Sequence, residues 1–450
     1  MTKELIFKQN PDNFKNFVHY PFWSMDREAW LEYANSLEEK EKFVLSYFPF
    51  KWAYAPPYNA ATALEFLHDI CVDFERVTTD DIENIYRTLP TFNDLKKEGC
   101  VAFRKATPDE MPANGFRMIP EWEPMAGAIL NFPSFYPPLW EFSRSKIEAL
   151  NHAIVYLRIP EGYFGAAVLA WLKAYGINLN TVRPIPGPIG DIWARDYSPV
   201  YGVNKYTGEA MAHKFSFAAF YPEYRDICKA VVDIDDQFAW IEGYTLLRTE
   251  IMIDGGYILT DGKGTYIFTR RVLTDNAHIT NLYAKLEHWL GAERLIIVDE
   301  EPDDPLGHIN HFKMIGPDKM LIGLPEDTAH PWYKYYTKLT RLFEGYGYEV
   351  FPVPCPTGLT RWLPDGQHTV HGLYANSLML NGRILMCQFG GNLAKYDEQA
   401  IACYQKALPD MELVPIDCSI IANGGGAINC STKELPDYNK FSCPDAHNQS

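Results

Sequence analysis

Three stretches of this 450-residue chain interrupt apolar patterning with side chains able to do chemistry. They are Gly190-Asp191-Ile192-Trp193-Ala194-Arg195-Asp196-Tyr197, Asp304-Pro305-Leu306-Gly307-His308-Ile309-Asn310-His311 and Asn423-Gly424-Gly425-Gly426-Ala427-Ile428-Asn429-Cys430. Together they offer a carboxylate (Asp196), a proton carrier (His308) and a nucleophile (Cys430). Each residue alone has a duller role to hand. Asp196 is a ready ion-pair partner for Arg195, His308 a core histidine bonded to a carbonyl, and Cys430 one buried thiol among nine cysteines. What lifts them is position, because each stretch follows a strand at the same place in a repeating order. The glycines before Cys430 allow a ligand to approach the backbone closely. They do not make a phosphate loop, since no Lys-Ser/Thr pair follows.

Metal ligation was weighed on two histidine pairs, His308 with His311 and His368 with His371. On a helix that spacing suits zinc, but both pairs read as strand or loop, where i and i+3 face opposite sides. On this spacing a metal site is not expected. The cysteine count is odd and no C-x-x-C occurs, which points to a reducing compartment and leaves room for a reactive thiol.

The elements that must position these residues recur along the chain. A hairpin is predicted at 251–269 around Asp261-Gly262-Lys263-Gly264, then a helix at 276–290 and a strand at 294–298. A second set has a hairpin at 311–323, a helix at 331–345 and a strand at 349–353. A third has a hairpin at 376–389 turning on Asn381-Gly382, a helix at 394–407 and a strand at 412–416. Earlier copies are read as helix 161–175, strand 179–184 and hairpin 197–217, preceded by strand 126–132 and helix 138–151. About five such modules fit, and none can cover both faces of its own sheet, so neighbours must do so. A doubly wound parallel sheet is disfavoured by the three hairpins inside the repeat. The competing radial arrangement gives a closed α/β ring with short protected edges. The strand exits then converge on the axis, bringing Asp196, His308 and Cys430 together. Residues 1–117 read as a small helical N-terminal region, with helical spacing at 27–46, 60–76 and 79–98. Residues 118–450 form the catalytic domain.

Composition narrows the partners. With 41 Lys+Arg against 58 Asp+Glu the net charge is −17 and no basic stripe appears, so nucleic acid and anionic membrane surfaces are not expected partners. No apolar run is long enough to span a bilayer. The polar start Met1-Thr2-Lys3-Glu4 lacks a signal-peptide core, which points to the cytoplasm, or to secretion if such a peptide has been removed. Nothing in the sequence fixes the oligomeric state.

With these residues gathered, the chain resembles the agmatine deiminase and bacterial-type peptidylarginine deiminase branch of the guanidine-modifying superfamily, over roughly 118–436. The motifs are Glu121-Trp122-Glu123-Pro124, Trp193-Ala194-Arg195-Asp196, Asp254-Gly255-Gly256 with Asp261-Gly262-Lys263-Gly264-Thr265 and Asn276, Gly307-His308, Tyr374-Ala375-Asn376-Ser377, and Gly424-Gly425-Gly426 leading to Cys430. The resemblance implies an α/β fold, a five-bladed pseudosymmetric α/β-propeller with its site on the axis, and neither a metal nor an organic cofactor. Cys430 would be the nucleophile, His308 the general acid/base, Asp196 the carboxylate gripping a guanidinium, and Asn376 a pocket-lining residue. Trp193, Trp362 and Phe389 are candidates to pack on the substrate's aliphatic stem, with core packing the favoured role for each.

One position departs from the family pattern. Where the family has His-x-Asp, with a second carboxylate for the substrate, this chain has Asn310. A charge-assisted contact is lost, and such contacts contribute roughly 1.5–3 kcal/mol each. Asn310 is then an inactivating substitution, the mark of a less basic substrate, or a residue whose missing charge Asp191 or Asp304 supplies. The related dimethylarginine hydrolases manage without that aspartate. The implied reaction is hydrolytic deimination of agmatine, arginine or peptidylarginine to a ureido product, such as N-carbamoylputrescine from agmatine, and ammonia, through a covalent Cys430 amidino-thioether. Amidino transfer to an amine, a catalytically impaired guanidinium-binding protein and a histidine-dependent metallohydrolase are the rival readings.

Overall fold

The computed structural model describes residues 57–69, 75–91, 93–94, 115–134, 139–187, 192–217, 243–302, 304, 306–357, 359–363, 366–370 and 372–441. The predicted helix at 27–46, Asp191, His371 and the side chains of Trp362 and His368 lie outside the described residues.

Five sheets of one build carry the chain. The second sheet contains β1 (Phe116–Met118), β5 (Val200–Asn204), β6 (Ala210–Ser216) and β7 (Thr245–Met252). The third has β8 (Ile258–Thr260), β9 (Thr265–Thr269) and β10 (Arg294–Val298), and the fourth β11 (Phe312–Gly316), β12 (Lys319–Leu324) and β13 (Glu349–Pro354). After a separate hairpin, β14 (Leu359–Leu363) with β15 (Gly366–Val370), comes the fifth: β16 (Leu378–Leu380), β17 (Arg383–Gln388) and β18 (Glu412–Asp417). In each of these four the first two strands of the module are antiparallel and the third runs parallel to the second. The first sheet has β2 (Met125–Asn131), β3 (Ile154–Ile159) and β4 (Val182–Pro186) in parallel. Its antiparallel strand is β19 (Lys433–Pro436), which pairs with β2 from the far end of the chain. That pairing closes the sheets into the five-bladed α/β-propeller.

Local chemistry explains the elements. At Asn381-Gly382 both residues have positive φ (48° and 87°), the demand of a tight two-residue hairpin turn. Asn381 also exchanges side-chain hydrogen bonds with the backbone of Met125, tying the fifth sheet to the first. Helix α8 (Pro331–Gly345) begins with proline at its first position and buries Trp332, Tyr336, Leu339 and Phe343, one stripe at helical spacing. The other helices are α1 (Ala60–Asp69), α2 (Thr79–Thr88), α3 (Trp140–Ala149), α4 (Gly162–Ala174), α5 (Ala194–Tyr197), α6 (Arg271–Asp275), α7 (Leu282–Leu290) and α9 (Ala394–Ala407).

Helix α4 is apolar nearly all round, burying Phe164 through Leu172 without a break. Such a helix needs cover on more than one side. The N-terminal pair α1 and α2 supplies it, with Phe66 edge-on to Phe164 at 4.4 Å and Tyr86 stacked on Tyr163 at 3.7 Å. No helix among the described residues is long and apolar enough to cross a membrane.

The structure corrects several boundaries. Of the helix expected at 60–76 the described part is Ala60–Asp69, with Glu75 and Arg76 in a turn, and that expected at 79–98 ends at Thr88, just before Pro90. The strand expected from 179 starts at Val182, because Asn178 caps a short 3₁₀ turn first. The helix expected at 276–290 is interrupted. The Asn276 side chain bonds to both the N–H and C=O of Met252, acting as a strand partner rather than a helix residue. The hairpin expected from 251 starts at Ile258, since Ile251 and Met252 belong to β7.

Candidate active site

Every third strand leads to at least one polar residue of the site. The chain leaving β4 reaches Asp196, that leaving β7 reaches Asp254, and that leaving β10 reaches His308 and Asn310. Beyond β13 and the β14–β15 hairpin comes Asn376, and beyond β18 comes Cys430. Ligand atoms of Asp196, Asp254 and His308 lie within 4.8 Å of one another. His308 Nε2 is 3.0 Å from Asp254 Oδ2. Burial alone would push the imidazolium down, but the Asp254 and Asp196 carboxylates outweigh it and hold its pKa at about 10. His308 is therefore a cation at neutral pH.

Backbone packing sets the pose of that ring. Asp254 Oδ1 accepts the Gly256 N–H at 2.8 Å, and Ile309 N–H donates to Gly256 C=O at 2.7 Å. A β-carbon at position 256 would lie 2.7 Å from the His308 ring. Gly256→Ala is accordingly expected to displace the imidazole and lower kcat at least ~10-fold, with little change in helix content by circular dichroism.

Cys430 is buried, 5% exposed, in a frame of amides. Asn376 Oδ1 accepts the Cys430 N–H at 3.3 Å, while its Nδ2 faces the sulfur at 3.0 Å and Asn310 Oδ1 at 3.3 Å. Asn310 Oδ1 lies 3.7 Å from the sulfur, and Asn310 Nδ2 is 2.5 Å from Asp304 Oδ2. Burial and the nearby Asp196 charge push the thiol up to about 12, so without a ligand it is protonated. Gly426 separates Cys430 from Trp193: a β-carbon there would be 2.6 Å from the Trp193 ring and 2.9 Å from the Cys430 β-carbon.

A buried ionic framework holds these loops from behind. Arg195 N–H donates to Cys430 C=O at 3.1 Å, and the guanidinium pairs with Glu434 at 2.6 Å. Although burial opposes it, Arg195 and Lys433 pull Glu434 down to about 2. Lys313 Nζ reaches Glu121 at 2.6 Å, Ser377 C=O at 2.7 Å and Asn429 Oδ1 at 2.9 Å, so one ammonium fixes residues adjoining both Asn376 and Cys430. Glu301 accepts the His311 N–H at 2.8 Å, anchoring the loop of His308 and Asn310. These bonds account for Glu121 and Arg195 in the sequence motifs.

Asn310, Asn376 and Trp193 thus stand about Cys430, and Asp196, whose charge acts on both the thiol and the imidazole, links them to His308. Phe389 instead meets Tyr374 edge-on at 5.1 Å, a packing role. The histidine pair diverges: His311 turns from His308 toward Glu301 and stacks with Tyr336. Sequence reasoning quoted Asp254 within a motif but gave it no role. Its signal was the exit of β7, hidden by reading that strand's end as the start of a hairpin.

Comparison with known proteins follows the same outline. A family model described as Porphyromonas-type peptidyl-arginine deiminase matches residues 117–436. The agmatine deiminase of Pseudomonas syringae pv. tomato is 26% identical over 360 residues, covering 72% of this chain and 96% of its own length. The solved agmatine deiminase of Enterococcus faecalis is similar with a TM-score of 0.63 at 20% identity, covering 74% of this chain and 99% of that one. That of C. jejuni gives 0.60 at 19% identity, covering 71% and 96%.

Proposed function

The chain belongs to the Porphyromonas-type peptidyl-arginine deiminase family and is a hydrolase acting on C–N bonds of guanidinium groups, and from that premise we propose agmatine deimination by covalent catalysis at Cys430. The observation that carries the reading is the cluster of Asp196, Asp254 and imidazolium His308 beside a buried thiol whose charge is suppressed until a cation arrives. Relatives such as that of Pseudomonas syringae pv. tomato, matched over 96% of its own length, are agmatine deiminases, and an acidic chain favours approach of a dication.

The steps follow from the charges. A guanidinium seated on Asp196 and Asp254 neutralises the field that holds the Cys430 proton, and the thiol ionises to solvent. The thiolate adds to the guanidinium carbon, forming C–S. His308 protonates one nitrogen, C–N breaks, and ammonia leaves. The neutral imidazole then takes a proton from water as it attacks the amidino-thioether; C–O forms, C–S breaks, and the ureido product departs with the thiolate restored. Asn376 Nδ2, facing the sulfur, supports the anion in both halves.

Ammonia release from agmatine, arginine, a peptidylarginine and methylated arginines tests this directly. Agmatine is expected to give the highest kcat/KM, by at least ~10-fold. Higher turnover of the peptide would overturn the substrate, and activity lost to a chelator but not to iodoacetamide would overturn the chemistry.

A further inference from the structure

Asn310 stands among groups that fix its orientation completely. Asp304 Oδ1 accepts the backbone N–H groups of Leu306 (2.8 Å) and Gly307 (3.1 Å), so this carboxylate is anchored at the head of the loop carrying His308. A carboxylate only accepts, so Asn310 must turn its NH₂ to Asp304 Oδ2. At the other end the Cys430 N–H only donates, which fixes Asn376 Oδ1 toward it and Asn376 Nδ2 toward Asn310. Both amide flips are set from outside, and Asn310 Oδ1 is left aimed into the centre, 3.7 Å from the sulfur. An amide that donates to a carboxylate is polarised, and its oxygen becomes a better acceptor.

Building on the deiminase reading, we propose that Asp304 is a positioning and specificity residue that carries a further substrate-directed negative charge, beside those of Asp196 and Asp254, delivered to the guanidinium through the oriented Asn310 amide. The charge has moved one side chain outward. A carboxylate at 310 facing Asp304 at this distance would meet a like charge, and the two would have to share a proton. The pair Asn310/Asp304 avoids that repulsion and keeps a single net charge at this corner. Guanidinium cations, rather than neutral amidines or ureas, remain the ligands it favours.

Exchange of the two residues tests the assignment, with agmatine as the probe. Asp304→Asn keeps the shape and the acceptor for the Leu306 and Gly307 N–H groups but removes the charge. It is expected to lower kcat/KM about 10-fold or more, mainly through KM. Asn310→Asp alone is expected to lower kcat/KM about 3-fold or more near neutral pH and to make it rise with pH, because it creates two carboxylates with one proton between them. The double exchange Asp304→Asn/Asn310→Asp is expected to exceed Asp304→Asn by about 5-fold or more. A merely structural Asp304 gives no such recovery. Asn310→Asp alone raising turnover about 100-fold, or Asp304→Asn matching the unchanged protein, would overturn the proposal. Should Asp304→Asn fail to fold, the Asn310→Asp result decides. Calorimetric binding of agmatine, repeated with each change in a Cys430→Ser background, separates the two readings. The same rank order of affinities without ammonia release from the parent chain would keep the charge assignment and sink the deiminase reading. Affinities indifferent to the exchange, with turnover intact in the parent, would do the reverse.

Discussion

Cys430→Ser is expected to reduce ammonia release from agmatine by at least ~10⁴-fold while the far-UV circular dichroism stays unchanged. The loss follows from how this site makes its nucleophile. His308 does not serve as a base for position 430, since it is already a cation and its Nε2 faces Asp254. The sulfur ionises only because a bound cation offsets burial and the Asp196 charge, and a thiol pushed to about 12 is within reach of that effect. A serine hydroxyl starts several units higher and stays protonated, so the cation is seated but not attacked. The fold tolerates the change because Asn376 Nδ2 can donate to the new oxygen as it faces the sulfur now. The melting temperature should move by less than about 2 °C. Tight agmatine binding by the inert variant would complete the case; turnover near the parent level would end the nucleophile assignment.

Most of the scaffold was legible because its signals are local. Asn381-Gly382 and Asp261-Gly262 announce their turns through residues that accept positive φ or cap their own loop, and the stripes of α8 and α9 fix those helices to the residue. What escaped depends on partners distant in sequence. β7 pairs in parallel with β6 across the stretch 218–242, and no alternation within 245–252 announces it. Once that strand is misassigned, Asp254 loses its place at an exit. The antiparallel strand of the first sheet comes from the other end of the chain, as β19, so the ring's closure is invisible to any window. Asn310 shows the limit most sharply. Its identity reads as a lost charge, while its function depends on which way an amide points, and that is set by Asp304 and by a backbone N–H 120 residues away.

The second large effect is expected from Asp254→Asn, because one carboxylate serves two tasks. It balances the imidazolium of His308, and with Asp196 it faces the place where a guanidinium must sit. Removing its charge should lower kcat about 10²–10³-fold, the scale of a misadjusted general acid, and raise KM as well. The pH profile distinguishes this from simple loss of packing. In the unchanged protein His308 keeps its proton up to about pH 10, so the alkaline limb of kcat/KM, which reports the free enzyme, should lie in that region. Without Asp254, burial pulls the imidazolium down against Asp196 and Asp304 only, and the limb should move at least about one unit toward acid. Stability carries the same signature with a defined sign. The folded pKa of His308 lies above its unfolded value of about 6.5, so the pairing stabilises fully below that pH and its contribution is lost as pH rises through about 10. The melting-temperature gap between parent and variant should therefore be widest in mild acid and close toward pH 10. A gap that ignores pH, or an alkaline limb that does not move, would show that Asp254 does not hold the proton on His308.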